Sequence, residues 1–118
     1  MTAIDLLGKA EALRGPWQPG IVAALNDMHV KLARLEGPFV WHAHADTDEL
    51  FYVLQGRFDM HYRDRVTPVE SGRLIVVPRG VEHRPVASAP CLVMLIEPAG
   101  TLNTGASGGE LTHSPDWL

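Results

Sequence analysis

The sequence predicts an all-β fold, a small sandwich or barrel, preceded by one short helix. Three observations carry this. Short segments of alternating apolar and polar residues recur from residue 21 to residue 98, at intervals of about ten residues. Gly and Pro separate them. Within each segment the apolar period is two, the period of a strand with one buried face. At 118 residues the chain suits one domain with a real core and is too short for two ordinary ones.

The elements follow in order. "TAIDLLGKAEAL" carries a modest apolar stripe of Ile4, Leu7 and Leu13 and predicts a helix that ends at Gly15-Pro16. Thr2 and Asp5 stand at capping-box spacing, with Asp where Glu or Gln is usual. "GPWQPG" reads as a loop. "MHVKLARL" alternates, with Met28, Val30 and Leu32 on one face and His29, Lys31 and Ala33 on the other. Gly37-Pro38 interrupts it, "FVWHAH" is the next strand, "ADTD" a polar turn, and "ELFYVLQG" a strand ending at Gly56. "RFDMHYRD" turns Phe58, Met60 and Tyr62 to one side. "RLIVVP" stops at Pro78, "VEHRPVAS" follows the turn at Arg79-Gly80, and "APCLVMLIEP" is the last strand. The tail "GTLNTGASGGELTHSPDWL" has no period and predicts an extended arm, with Trp117 able to dock on a neighbour. The expected division is therefore 1–20 helix and loop, 21–98 barrel, and 99–118 arm.

Composition narrows the function classes. Apolar residues at 46% and charged residues at 20% match a soluble globular protein. A net charge of −4 argues against nucleic acid, whose phosphates need clustered Lys and Arg. Cys91, the single cysteine, lies in an apolar run and reads as a small buried hydrophobe. One cysteine makes no internal disulfide, no segment reads as a signal peptide, and no run is long enough to span a bilayer. The expected location is cytoplasmic.

Chemistry concentrates in "WHAHADTDELFYVLQG". His42 and His44 are two apart on a strand, so both point to one face, about 7 Å apart along it. Glu49 opens the next strand after a four-residue turn and shares its face with Phe51 and Val53. Two imidazoles and a bare carboxylate in an apolar interior are costly without compensation, and a divalent cation supplies it. His83, after "PRGVE" at another strand start, is the fourth candidate. His29 and His113 lack this context. His61 shares a face with Arg57, Asp59 and Arg63, which is the composition of a solvated surface.

These motifs resemble the cupin superfamily, in its small single-domain form. The first cupin motif is matched by His42-Ala-His44, four residues, Glu49, six residues and Gly56. The second is matched by Gly72, Pro78, Gly80 and His83. Gly37 lies one residue nearer to His42 than the usual spacing, and Ala87 replaces a terminal Asn. Neither position is a metal ligand in the family. The resemblance implies a cupin jelly-roll β-barrel whose ligands map onto His42, His44, Glu49 and His83. "IEPAGTLNTG" and "VKLARLEGPFVWHAH" are also similar to small bacterial cupins described as sugar-phosphate isomerase-like. That likeness names no reaction, because one fold hosts many chemistries.

Three imidazoles and one carboxylate suit one divalent transition metal ion: Zn, Mn, Fe, Ni or Cu. With open positions for substrate or dioxygen, the site favours a metal-dependent dioxygenase or an isomerase, epimerase or lyase acting on a small oxygenated or carbonyl substrate. The alternative is a small-molecule binding or sensing module without turnover. Glu82 and His61 are candidate bases, although alternation turns Glu82 away. A phosphorylated substrate needs a cation at the mouth: Arg84 adjoins His83 but alternation turns it away, and Arg57, Arg63 and Arg79 read equally as surface residues. The outer strand face of Leu50, Tyr52 and Leu54 predicts a homodimer, with Trp17 and Trp41 contributing.

Overall fold

The structure, a computed structural model, describes residues 1–118. Its elements are α1 (Leu6–Ala10), β1 (Gly20–Leu25), β2 (Met28–Pro38), β3 (Glu49–Gln55), β4 (Arg57–Tyr62), β5 (Val66–Glu70), β6 (Leu74–Val77), β7 (His83–Pro98) and β8 (Asp116–Trp117). The strands run in the order β5-β4-β7-β2-β1-β8, and β3 joins both β6 and β7. This is the jelly-roll that the resemblance implies, as an open curved sheet. No helix is long and apolar enough to cross a membrane.

Strand β7 organises the fold. Its first residues pair with β4, from Tyr62↔His83 to Asp59↔Val86. Its second half pairs with β3 on one side and β2 on the other. The sequence reading divides this stretch into two strands, but the structure has one of 16 residues. Between Leu35↔Cys91 and Gly37↔Ala87 the register shifts, and exposed Ser88, Ala89 and Pro90 bulge outward. The bulge absorbs the proline, which cannot donate to a ladder, and bends one strand across both halves of the barrel.

Alternation decides what is buried. Glu49, Phe51 and Val53 of β3 face inward, as do Phe58, Met60 and Tyr62 of β4. The inner core gathers Leu35, Phe39, Phe51, Val53, Phe58 and Met60 among others. Gly56 turns β3 into β4 at φ 86°, a left-handed conformation that favours glycine, and a side chain there would press on Pro90 O at 3.0 Å.

Several expectations need correction. The helix is shorter than predicted, and its cap is Asp5, whose carboxylate accepts from the Gly8 amide at 3.1 Å. Thr2 takes no part in that cap. "FVWHAH" forms no regular strand: β2 runs through Gly37 to Pro38, and the following chain touches β7 by one bridge, His42↔His83. Trp17 is buried, stacked on Phe39 at 4.6 Å, and donates from Nε1 to Glu36 O, so it cannot line an intersubunit face. Leu54 is half-buried in a second cluster with Ala10, Val22, Leu32 and Leu92, where Leu6, Leu13 and Leu118 also pack. The N-terminal segment and the last residue thus cover part of the outer face within one chain. The arm also folds back, and β8 adds to β1 in parallel.

Candidate metal centre

Three short connections deliver the site. The segment Phe39–His42 lies along the start of β7 through Phe39 N to Pro85 O, and through reciprocal bonds between His42 and His83 of 3.1 and 2.9 Å. The Gly80 amide donates to His44 O at 2.9 Å. Asp48 accepts from the Arg79 amide at 2.9 Å and from its guanidinium at 3.2 Å. Those bonds to Arg79 hold the Asp48 carboxyl below its ordinary range. The loop that ends at Glu49 and the turn that leads to His83 are stitched together.

The four sequence-predicted residues come together. One ligand atom from each of His42, His44, Glu49 and His83 lies within 4.8 Å of every other, and all four residues are buried. The His42 and His83 rings are 4.2 Å apart between centroids, and His42 and His44 5.1 Å. Glu49 Oε1 is 3.4 Å from His44 Nε2 and 3.5 Å from His83 Nε2.

The ring tautomers follow from hydrogen bonding. His42 Nδ1 lies 2.9 Å from Val40 O, and His83 Nδ1 2.9 Å from Val81 O. A carbonyl only accepts, so each Nδ1 carries the proton and each Nε2 keeps its lone pair for the interior. This is how a protein orients a metal-binding imidazole. Burial first, and the neighbouring His83 second, lower the His42 pKa to about 4 and keep that ring neutral.

A metal ion fits this donor set on a direct observation. His44 Nε2, His83 Nε2 and Glu49 Oε1 are buried without a hydrogen-bond partner. Leaving one such atom unsatisfied costs about 1–3 kcal/mol, and here they converge on one point. The cluster can hold a metal ion.

Two residues that the sequence reading passed over complete the interior. Lys31 and Glu97 are 1% and 2% exposed, and Lys31 Nζ donates to Glu97 Oε1 at 2.8 Å. Burial first, and the adjacent Glu49 second, push the Glu97 carboxyl up to about 9. The Glu49 carboxyl is held low: burial opposes this, but the adjacent Glu97, His44 and His83 outweigh it. The signal was present in the alternation, because Glu97 follows Cys91, Val93 and Leu95 on one face and Lys31 precedes Ala33 and Leu35.

Beside the cluster lies a cavity of about 30 Å³, lined by His42, Glu49, Glu97 and Asn103 among apolar walls that include Phe39 and Phe51. The other sequence candidates lie elsewhere. Glu82 is exposed and paired with Arg63 at 3.1 Å, and His61 Nδ1 sits 3.4 Å from Arg84 Nη2. Arg57 pairs with Asp59, and Arg63 and Arg84 lie over the Trp41 ring. His29 meets Trp117 edge-on, and His113 donates its amide to Asn103. Cys91 is buried, and burial raises its thiol to about 11. The arm crosses above: Ser107 donates to Trp41 O at 3.0 Å, Thr104 is fully buried, and Gly105 meets the Ala43 carbonyl so closely that no Cβ fits.

Comparison with known proteins agrees with this geometry. The family model for the cupin domain (Cupin_2) matches residues 28–97. A cupin-2 domain containing protein from Shewanella frigidimarina is 42% identical, with TM-score 0.80 over 81% of this chain and 94% of that one. Protein NMB1881 from Neisseria meningitidis is 28% identical, with TM-score 0.76 over 83% of this chain and all of that one. YdbB of Bacillus subtilis (strain 168) is 38% identical over 64 residues, 53% of this chain and 57% of YdbB, so the match spans little more than half of that protein. With both histidine-bearing motifs inside a matched jelly-roll, the chain belongs to the cupin domain family.

Proposed function

We propose that the protein holds one divalent transition metal ion through His42, His44, Glu49 and His83 and acts there on a small oxygenated or carbonyl substrate. The observation that carries this is the convergence of His44 Nε2, His83 Nε2 and Glu49 Oε1, all buried and unpartnered. When bound, the ion supplies Lewis acidity and open coordination positions. The chain's own residues supply the rest. Val40 O and Val81 O hold the His42 and His83 rings in one tautomer. Phe39, Phe51, Leu35 and Leu95 exclude water from the reacting end, and Asn103, whose amide donates to Trp17 O and Leu111 O, completes the wall.

No Lys or Arg lines the cavity beside the cluster, which disfavours a phosphorylated substrate. Lys31, which reaches the lining residue Glu97, is engaged by Glu97 and Thr101. Arg57, Arg63 and Arg79 are each paired outside with Asp59, Glu82 and Asp48.

Metal analysis of untagged protein, followed by O₂ uptake and product analysis against carbonyl and phenolic compounds, tests the reading. O₂ consumption with a substrate supports a dioxygenase, and product without O₂ use supports an isomerase or lyase. Saturable binding without product identifies a binding or sensing module. A His83→Ala protein with undiminished metal content refutes the ligand assignment.

The same reading includes a cytoplasmic homodimer. Leu74 and Val76, 57% and 47% exposed on β6, lie in register with Tyr52 and Leu50. Strand β6 pairs only with β3, so its free edge and this apolar strip suit a second copy.

A further inference from the structure

The ladder between β3 and β7 pairs Phe51 with Leu95 and Leu50 with Ile96. One step further sets Glu49 beside Glu97, both buried. Two facing buried carboxyls repel when both ionise, so Glu97 keeps its proton beside the ionised Glu49 up to about pH 9. Lys31 offsets the repulsion from β2: its ammonium donates to Glu97 Oε1 at 2.8 Å and to Thr101 O at 3.2 Å. Glu97 Oε2 stays buried without a partner, and Glu97 lines the cavity together with Glu49 and His42. A core that needed only stability would fill these positions with apolar residues, which replace buried ion pairs at little or no cost.

We propose that Glu97 and Lys31 are a positioning pair for the metal centre. Lys31 fixes Glu97, Glu97 confines the Glu49 carboxyl to the orientation in which Oε1 meets the imidazoles, and the bond from Lys31 to Thr101 ties the arm to the same pair. This rests on the metal reading above. The arm continues from Thr101 to Gly105 and Ser107, which pack on the loop that carries His42 and His44. Metal occupancy and seating of the arm are therefore linked, and by reciprocity each favours the other.

The test uses the full chain and Zn²⁺ in competition with a chromophoric chelator. Two variants separate positioning from folding. Lys31→Met/Glu97→Leu replaces the pair by apolar groups of similar size. Glu97→Asp keeps the carboxyl group but draws it back from Glu49. Each folded variant is expected to bind Zn²⁺ about 10- to 100-fold more weakly, the range for lost partners of metal ligands. In the wild type, Zn²⁺ is expected to slow amide exchange across residues 99–113, and in the double variant that slowing is lost. Wild-type affinity in either folded variant overturns the positioning role. Unchanged exchange of the wild-type arm on adding Zn²⁺ overturns the link. His83→Ala is the control: if it loses Zn²⁺ while the paired variants do not, the metal reading stands and this inference falls. If the wild type takes up no Zn²⁺ or other divalent ion, both fall.

Discussion

Acid should destabilise the metal-free protein through His42, and the size of the effect follows from burial. The ring sits in the barrel with its pKa lowered from 6.5 to about 4, by burial first and by His83 second. The folded value lies below the unfolded one, so the unfolded chain binds more protons between them. His42 therefore contributes its full stabilisation above pH 6.5 and loses it as the pH falls through 4. The gap corresponds to roughly 3 kcal/mol, of which about 2 kcal/mol is gone by pH 5. That is a large part of the 5–15 kcal/mol available to a typical domain. Urea unfolding in the presence of a chelator, at several pH values from 7.5 to 4.5, measures it. His42→Gln is the reference, because its packing cost does not depend on pH and Glu97 titrates in both proteins. The wild type should lose about 2 kcal/mol more than His42→Gln between pH 7 and pH 5. Parallel curves for the two proteins would refute the burial argument.

Other outcomes follow from the same geometry. His42→Ala, His44→Ala, His83→Ala and Glu49→Gln should each lower metal content sharply with the fold preserved, while His29→Ala, His61→Ala and His113→Ala stay near wild type by elemental analysis. Gly80 adopts φ 76° and its amide holds His44 O. Gly80→Val should cost about 1–2 kcal/mol of stability and reduce metal retention more than chelator-treated folding; unchanged metal with a large stability loss would make its role purely structural. Val76→Lys should convert a dimer to a monomer by light scattering at micromolar concentration, and a monomeric wild type would remove the dimer. Gly105→Ala has a strained φ of 56° and no space for its methyl beside Ala43, so the arm should become protease-sensitive.

Period-two alternation was enough to read the inward faces of β3 and β4, because each residue's side follows from its neighbours along one strand. The spacing of His42, His44 and Glu49 sufficed to group them, since they lie within one local segment; His83 was a candidate from its place at another strand start, and the cupin resemblance put it in the same ligand set. Alternation alone could not tell that β7 is continuous across Pro90, because an outward bulge and a strand break leave the same Pro and Ser in the sequence. Nor could it tell that Trp17 enters the core, which depends on Phe39 arriving beside it. The Lys31–Glu97 pair is the clearest limit. Each charge sits at an inward position of its own strand, but they are 66 residues apart, and only the register of β2, β3 and β7 brings them to 2.8 Å and beside Glu49. The sequence by itself determined the strand faces and the ligand types, which are local properties. Tertiary structure decided which buried charges meet, because pairing across strands is set by register and closure rather than by neighbours in the chain.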